Sequence, residues 1–190
     1  MGLKKKGSLQ IPEGVTEIEY KAFYNCTKLT SVTLPKSVTK IDWRAFEGCT
    51  GLTSITIPEG VTEIGWGAFK DCTSLKSITI PKSVVDIGYK AFYGCTGLTS
   101  ITIQNGAVEI GDHAFHGCTE LKSITIPKSV TVIGTQAFYY TSLEKVYFEG
   151  DAPRLGLDVF EGTTAIVYYR KGTKGWGKTF GGLPTREIDE

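Results

Sequence analysis

The apolar positions of this chain recur at a fixed interval. Cys26, Cys49, Cys72, Cys95 and Cys118 lie 23 residues apart, and so do Phe23, Phe46, Phe69, Phe92, Phe115 and Phe138. Leu29, Leu52, Leu75, Leu98 and Leu121 each open a new copy. One unit reads approximately L-x-S-I-T-I-P-x-x-V-T-x-I-x-x-x-A-F-x-x-C-T-x. Within it Leu29, Val32, Leu34, Val38, Ile41, Ala45, Phe46 and Cys49 mark the recurrent apolar slots, while the residues between them vary in charge and size. The recurrent set is expected to face inward.

The segment Val32 to Leu34, like Ile55 to Ile57 and Ile78 to Ile80, alternates apolar and hydroxyl residues and stops at proline. That pattern predicts one short strand per unit with one buried face. Strands are expected to begin near Leu9, Val32, Ile55, Ile78, Ile101, Ile124 and Val146 and to stack as a parallel sheet at about 4.8 Å per strand. The return leg, Val38 to Phe46 and its counterparts, places apolar residues at irregular steps and reads as a turn-rich segment with a single helical turn around Ala-Phe. One unit buries too little surface to offset the ordering of its own backbone, so stability has to come from neighbouring units.

The pattern changes after Phe138, where one residue is missing and the cysteine slot is lost. Val146-Tyr147-Phe148 reads as a last regular strand and Ile166 to Tyr169 as a final edge strand. Residues 1–7 are expected as an unstructured or tag-like start, 8–148 as a solenoid of about six repeats, and 149–190 as a carboxyl-terminal capping segment. Lys6 stands where later copies have leucine, which predicts a poorly capped amino-terminal end.

Units such as Ile57 to Leu75, of the form I-P-x-x-V-T-x-I-G-x-x-A-F-x-x-C-T-x-L, resemble the BspA-like class of bacterial leucine-rich repeats, and the resemblance covers about residues 8 to 148. The close, Val146 to Pro153 followed by Ile166 to Tyr169 and Gly175-Trp176-Gly177, is similar to the usual ending of such proteins. The fold expected is an α/β-type repeat solenoid. It is a curved, right-handed leucine-rich-repeat coil with a parallel β-sheet on its concave face, a turn-rich convex side and few helices. The resemblance implies display at a bacterial or protist surface and use in adhesion or host-protein binding, with no catalytic residue to carry over.

Composition narrows the classes further. With 41% hydrophobic residues, 22% charged and a net charge of +1, the chain is neither a disordered tail nor a polyanion binder. Lys4, Lys5 and Lys6 form the only basic run, and no apolar stretch approaches the ~20 residues of a membrane span. The amino terminus has no apolar h-region. The expectation is an extracellular or cell-surface location as part of a larger precursor, or a cytoplasmic one if the chain is complete.

Five cysteines at one slot per coil form a line of thiols. A line does not converge on a point as a zinc site requires, so these read as buried structural groups and no metal or other cofactor is expected. Asp112-His113-Ala114-Phe115-His116-Gly117-Cys118 gathers both histidines near an acid and a thiol. His113 nevertheless takes a slot held elsewhere by Lys21, Arg44, Gly67 and Lys90, and His116 one held by Tyr24, Glu47, Lys70 and Tyr93. Those are variable positions, expected to face solvent, and no second cluster completes a catalytic constellation.

Two surfaces remain. Ser31 and Thr33, with their counterparts through Ser123 and Thr125, form a hydroxyl ladder that suits exposed strand positions. The slot two residues after the return-leg isoleucine holds Tyr20, Trp43, Trp66 and Tyr89 in successive coils before changing to Asp112 and Thr135. Those four residues are the candidate ligand-binding site, set against the alternative that the rings stiffen the wall by stacking on one another. The functional expectation is a non-catalytic binding or adhesion module for a protein or glycan ligand. Nucleic acid binding and membrane insertion are not expected. The chain is expected to be a monomer, or to self-associate weakly through the amino-terminal end. The alternative is a structural element or engineered repeat scaffold without a dedicated ligand.

Removing one whole unit, Ile57 to Thr79, is expected to leave a shorter folded protein, because each coil contacts only its neighbours. A ten-residue deletion at the same place puts the core slots out of phase and is expected to abolish the melting transition. Circular dichroism melts of the two variants check this, and equal damage from both would contradict a solenoid.

Overall fold

The computed structural model describes residues 7–189. Of the start expected over 1–7, only Gly7 falls among them, and Lys6 lies outside. Strands and turns alternate without a helix among the described residues. The first coils run β1 (Gly7–Gln10), β2 (Glu17–Ile18), β3 (Leu29–Thr33), β4 (Lys40–Ile41), β5 (Ser54–Thr56) and β6 (Glu63–Ile64). The middle coils follow with β7 (Ser77–Ile80), β8 (Asp86–Ile87), β9 (Ser100–Ile103), β10 (Glu109–Ile110), β11 (Ser123–Ile126) and β12 (Val132–Ile133). The chain closes with β13 (Lys145–Phe148), β14 (Arg154–Leu155), β15 (Ile166–Arg170), β16 (Thr179–Phe180) and β17 (Leu183–Ile188).

The long strands carry the expected alternation. In β7, β9 and β11 serine and threonine are exposed and both isoleucines are buried. Proline ends the strand in most coils because it has no N–H for the ladder. Its carbonyl then accepts the N–H of the valine three residues on, as in Val38 to Pro35 at 3.1 Å and Val61 to Pro58 at 3.0 Å, which turns the chain. All long-strand pairings are parallel, with Ser31 opposite Ser54 and Ser77 opposite Ser100, and the register slips only at the start of β1, between Gly7 and Ser8. The ladder is nonetheless in three pieces, β1-β3-β5, β7-β9 and β11-β13-β15-β17-β16.

A second sheet lies on the return leg, where only turns were expected. Seven two-residue strands pair in unbroken order from β2 to β14. Each contributes one inward isoleucine or leucine and one outward residue, as Lys40 pairs with Glu63 and Ile41 with Ile64.

The Ala-Phe segment is not a helical turn, contrary to expectation. Alternate N–H groups go to different partners. Ala45 donates to Asp42 of its own coil, Phe46 to Ala68 of the next coil, Glu47 to Arg44, and Gly48 to Lys70. Half of the amides are thereby committed to the neighbouring coil, which leaves no continuous i to i−4 ladder. The result is a third run of inter-coil hydrogen bonds, repeated as Phe69 to Ala91, Phe92 to Ala114 and Phe115 to Ala137, each at 2.8 Å.

These three inter-coil runs enclose the expected core. The eight slots represented by Leu29 to Cys49 are all buried. The phenylalanine rings stack face to face along the axis, with centroids 5.1 Å apart for Phe23 and Phe46, 5.3 Å for Phe69 and Phe92, and 5.6 Å for Phe138 and Phe160. The carbonyls of Phe23, Phe46, Phe69 and Phe92 each accept twice. Phe46 takes the Cys49 N–H at 3.1 Å and the Cys72 thiol at 3.2 Å, and Phe69 takes the Cys72 N–H at 3.2 Å and the Cys95 thiol at 3.1 Å. The cysteine is thus a small apolar group with a weak donor placed where a second acceptor lone pair is free. Where the slot becomes Thr141, its buried hydroxyl donates to Phe138 at 2.9 Å.

The expected edge strand, Ile166 to Tyr169, is internal. It forms most of β15, which pairs with β13 on one side and β17 on the other. β16 folds back antiparallel on β17, and Trp176 and Phe180 pack around Phe148 to close that end.

All five thiols are free, four of them buried and Cys26 half-buried. Burial pushes Cys49 and Cys118 up to about 12 from an ordinary 9.0. Cys26 is therefore expected to label first with a thiol reagent, and the other four only on denaturation. The unfolded thiols ionise above pH 9.0 while the folded ones hold their protons. Their contribution to stability is accordingly full below that pH and lost as pH rises toward about 12. Melting temperature against pH, compared with a variant carrying alanine at the four buried positions, measures the effect. Rapid native labelling of several thiols would contradict it.

Candidate binding surface

The turn that runs from each short strand past its phenylalanine carries three slots of varied side chains, represented by Tyr20, Lys21 and Tyr24. The middle slot is left-handed in every coil: Lys21, Arg44, Gly67, Lys90, His113, Gln136 and Asp158 have φ between 53° and 60°. A second left-handed slot follows four residues later, as in Asn25, Gly48 and Asp71. These conformations bend the chain tightly enough for alternate amides to reach the next coil. They cost a residue with a Cβ roughly 1 kcal/mol or more, yet only Gly67 fills the first slot with glycine.

In this conformation the middle side chain lies back over its neighbours. The Lys90 ammonium is 4.9 Å from the Tyr89 ring centroid and 5.3 Å from that of Tyr93. Lys21 sits likewise over Tyr20 and Tyr24, at 5.2 and 4.7 Å. Such contacts hold a cation at the surface with its charge still available.

Tyr20, Trp43, Trp66 and Tyr89 fall on one side of this face and are 54%, 46%, 54% and 38% exposed. Trp43, Trp66 and Tyr89 also touch in series. Trp43 and Trp66 stack at 4.9 Å with planes 10° apart, so those facing surfaces are taken up by each other. The geometry changes at the next step, where Tyr89 meets Trp66 edge-on at 5.8 Å and 66°. There the stripe opens into a cavity of about 230 Å³ lined by Arg44, Trp66, Gly67, Lys70, Tyr89 and Lys90.

Gly67 makes that space. A Cβ at this position would meet the Arg44 and Lys70 side chains at 3.6 Å and Glu47 Oε2 at 3.9 Å, all at ordinary contact distance. Glu47 is buried beside it, with Oε1 2.8 Å from the Lys70 ammonium and Oε2 3.4 Å from Arg44 Nε. Lys70 also reaches Asp71 at 3.3 Å. The hydrogen bond to Glu47 leads the influences that raise the Lys70 pKa, so the ammonium stays charged.

Farther along, the histidines are drawn into the aromatic surface and are half-buried, where solvent exposure was expected. His116 stacks between Tyr93 at 4.6 Å and Tyr139 at 5.0 Å, while His113 meets Tyr89 edge-on at 5.6 Å. Burial lowers both pKa values, aided at His113 by Lys90 and at His116 by His113 and Lys90. Among the described residues no group of three or more His, Cys, Asp or Glu is placed to hold a metal. The hydroxyl ladder is exposed from Thr33 onward, and Tyr147 and Tyr168 stack beyond it at 5.0 Å.

Reading the aromatic slot alone missed Arg44, Gly67, Lys70 and Lys90 as its companions. One signal was available, since Gly67 is the single glycine in a slot otherwise filled by larger polar residues.

The BspA type leucine rich repeat region family matches this chain in six copies, over residues 3–65 and 44–167. A leucine-rich repeat protein of T. pallidum is 36% identical over 82% of this chain and 75% of its own, with a TM-score of 0.71. One from Bacteroides ovatus ATCC 8483 is 25% identical, with a TM-score of 0.67. The pneumococcal vaccine antigen PcpA is 22% identical over 89% of this chain, with a TM-score of 0.69, and shares the fold. This chain spans 63% of the Bacteroides ovatus protein and 56% of PcpA. A search of curated proteins found no match. Among the described residues no helix is long and apolar enough to cross a membrane.

The left-handed slot gives a test of its own. Gly67→Ala is expected to cost about 1 kcal/mol without a clash, and Gln136→Gly to gain a similar amount. Chemical denaturation of the two variants reads both signs. Equal and negligible shifts would show that the turn relaxes out of the left-handed region.

Proposed function

Because this chain belongs to the BspA-type leucine-rich-repeat family, whose coils are interaction scaffolds, we propose that it is a non-catalytic binding module. Its ligand surface is the stripe Tyr20, Trp43, Trp66 and Tyr89. The observation that carries the reading is the exposure of four large rings in register, one per coil, on a protein that buries its phenylalanine slot completely from Phe46 to Phe138. Exposed tryptophan and tyrosine flanked by cations are the residue types that dominate binding energy at interfaces. Proteins of this family are often surface-associated, and a role at a cell surface, in adhesion to a protein or glycan, fits this reading. Mutual stacking of Trp43 and Trp66 also supports the wall, and the two roles are separable because they move different measurements.

A glycan array and a panel of matrix proteins, probed with the wild type and with Trp43→Ala combined with Trp66→Ala, test the proposal. Losing the stack is expected to lower stability by about 1 kcal/mol. Affinity for whatever the wild type binds is expected to fall by about 2 kcal/mol or more. A lower melting temperature with unchanged affinity would make the rings structural and remove the stripe as the binding surface.

A further inference from the structure

We propose that the cavity over Gly67 is a subsite for one acidic sugar residue, a pyranose ring carrying a single negative charge, within a glycan lying along the aromatic stripe. This rests on the stripe being a binding surface and names what its centre accepts. The first argument is charge. Arg44, Glu47, Lys70 and Asp71 form a connected network of two cations and two anions, which leaves no net charge. Lys90 lines the same cavity and makes no ion pair among the described residues; its ammonium rests on the rings of Tyr89 and Tyr93. The site therefore holds one uncompensated positive charge, which matches a monoanion such as a carboxylate or sulfate ester better than a phosphate dianion.

The second argument is preorganisation. Glu47 is nine-tenths buried and holds Arg44 by charge alone, in a 3.4 Å contact at Nε that leaves Glu47 Oε2 without a hydrogen bond, while the half-exposed Arg44 side chain lines the cavity. Arg44 and Lys90 are charged donors from the two coils that flank the coil of Gly67, on either side of its missing side chain. The third argument concerns the walls. Trp66 and Tyr89 meet edge-on rather than stacked, so one indole face is not covered by a parallel ring on that side. A sugar ring offers a C–H face to such a wall, and its hydroxyl oxygens accept the ammonium and guanidinium donors that one acid group leaves over. A phenyl ring bearing an acid offers the face but not the acceptors.

Titration calorimetry of the full chain with four probes tests this: oligogalacturonate, its methyl ester, an oligomer of sulfated galactan, and a tyrosine-phosphorylated peptide. One or both charged glycans are expected to bind, which identifies the carboxylate or the sulfate as the acid, with affinity falling as salt is raised. For a uronate, the neutral ester is expected to bind at least about tenfold more weakly. Gly67→Gln fills the cavity with a side chain that the same backbone slot already carries at Gln136, where φ is 54°. Lys90→Gln removes the unpaired charge and changes no backbone requirement, so it keeps the test open should Gly67→Gln lose stability. Each is expected to weaken charged-glycan binding about tenfold or more, whereas Lys82→Gln, in an exposed turn, is expected to leave it unchanged.

Failure of both charged glycans to bind, binding unaffected by either cavity variant, equal binding of the methyl ester where the uronate binds, or tighter binding of the phosphopeptide would each overturn the proposal. Binding that survives the cavity variants but is lost with Trp43→Ala and Trp66→Ala would sink the subsite and leave the stripe. Binding indifferent to both sets would sink both.

Discussion

Stacking of phenylalanine on phenylalanine at 5.3 Å, coil after coil, ties the whole molecule to a constant length of backbone per turn. A ring can meet the next one face to face only if the chain returns to the same point after the same path. That return brings the inward isoleucines, the cysteine thiols and three sets of backbone amides into register together. The one departure shows how strict the requirement is. Phe160 follows Phe138 by 22 residues, and the deletion falls in the loop between Tyr140 and Leu143. The stack continues there at 5.6 Å.

The same constraint explains the chemistry of the slots. A carbonyl on the phenylalanine turn has a second lone pair facing the following coil, and only a small side chain with a donor fits against it. Cysteine does so in four coils, whereas the Thr141 hydroxyl turns to the phenylalanine carbonyl of its own coil, Phe138, instead of that of the preceding one. The thiols are held for their size and their S–H, and burial suppresses the reactivity for which cysteine is more often retained.

Much of this was legible in the sequence because period and patterning act together over many copies. The long strands, the inward slots and the line of thiols follow from Leu29 to Cys49 read against their repeats. The short-strand sheet was not legible, since two residues such as Lys40 and Ile41 are too few to show an alternation, and their pairing depends on the neighbouring coil. The Ala-Phe segment misled for a related reason. Its spacing is compatible with a helical turn, and the decisive fact is that Phe46 and Gly48 donate outward to Ala68 and Lys70, which no local pattern records. At the surface, the ring slots were visible as Tyr20, Trp43, Trp66 and Tyr89. The cavity beside them depends on one absent side chain at Gly67 and on the buried Glu47 that arranges Arg44 and Lys70.

The two sides of the coil differ in the continuity of their hydrogen bonds. The short-strand sheet runs unbroken through seven strands, while the long-strand sheet is interrupted between β5 and β7 and between β9 and β11. Lys76 still donates to Thr53 at 3.3 Å across the first interruption, so the long-strand side is thinned in hydrogen bonds there and not severed. The opposite side behaves as a ruler, its graduations fixed by an uninterrupted ladder. Any ligand that engages successive marks of such a ruler at once has to carry a repeat of its own that matches the pitch.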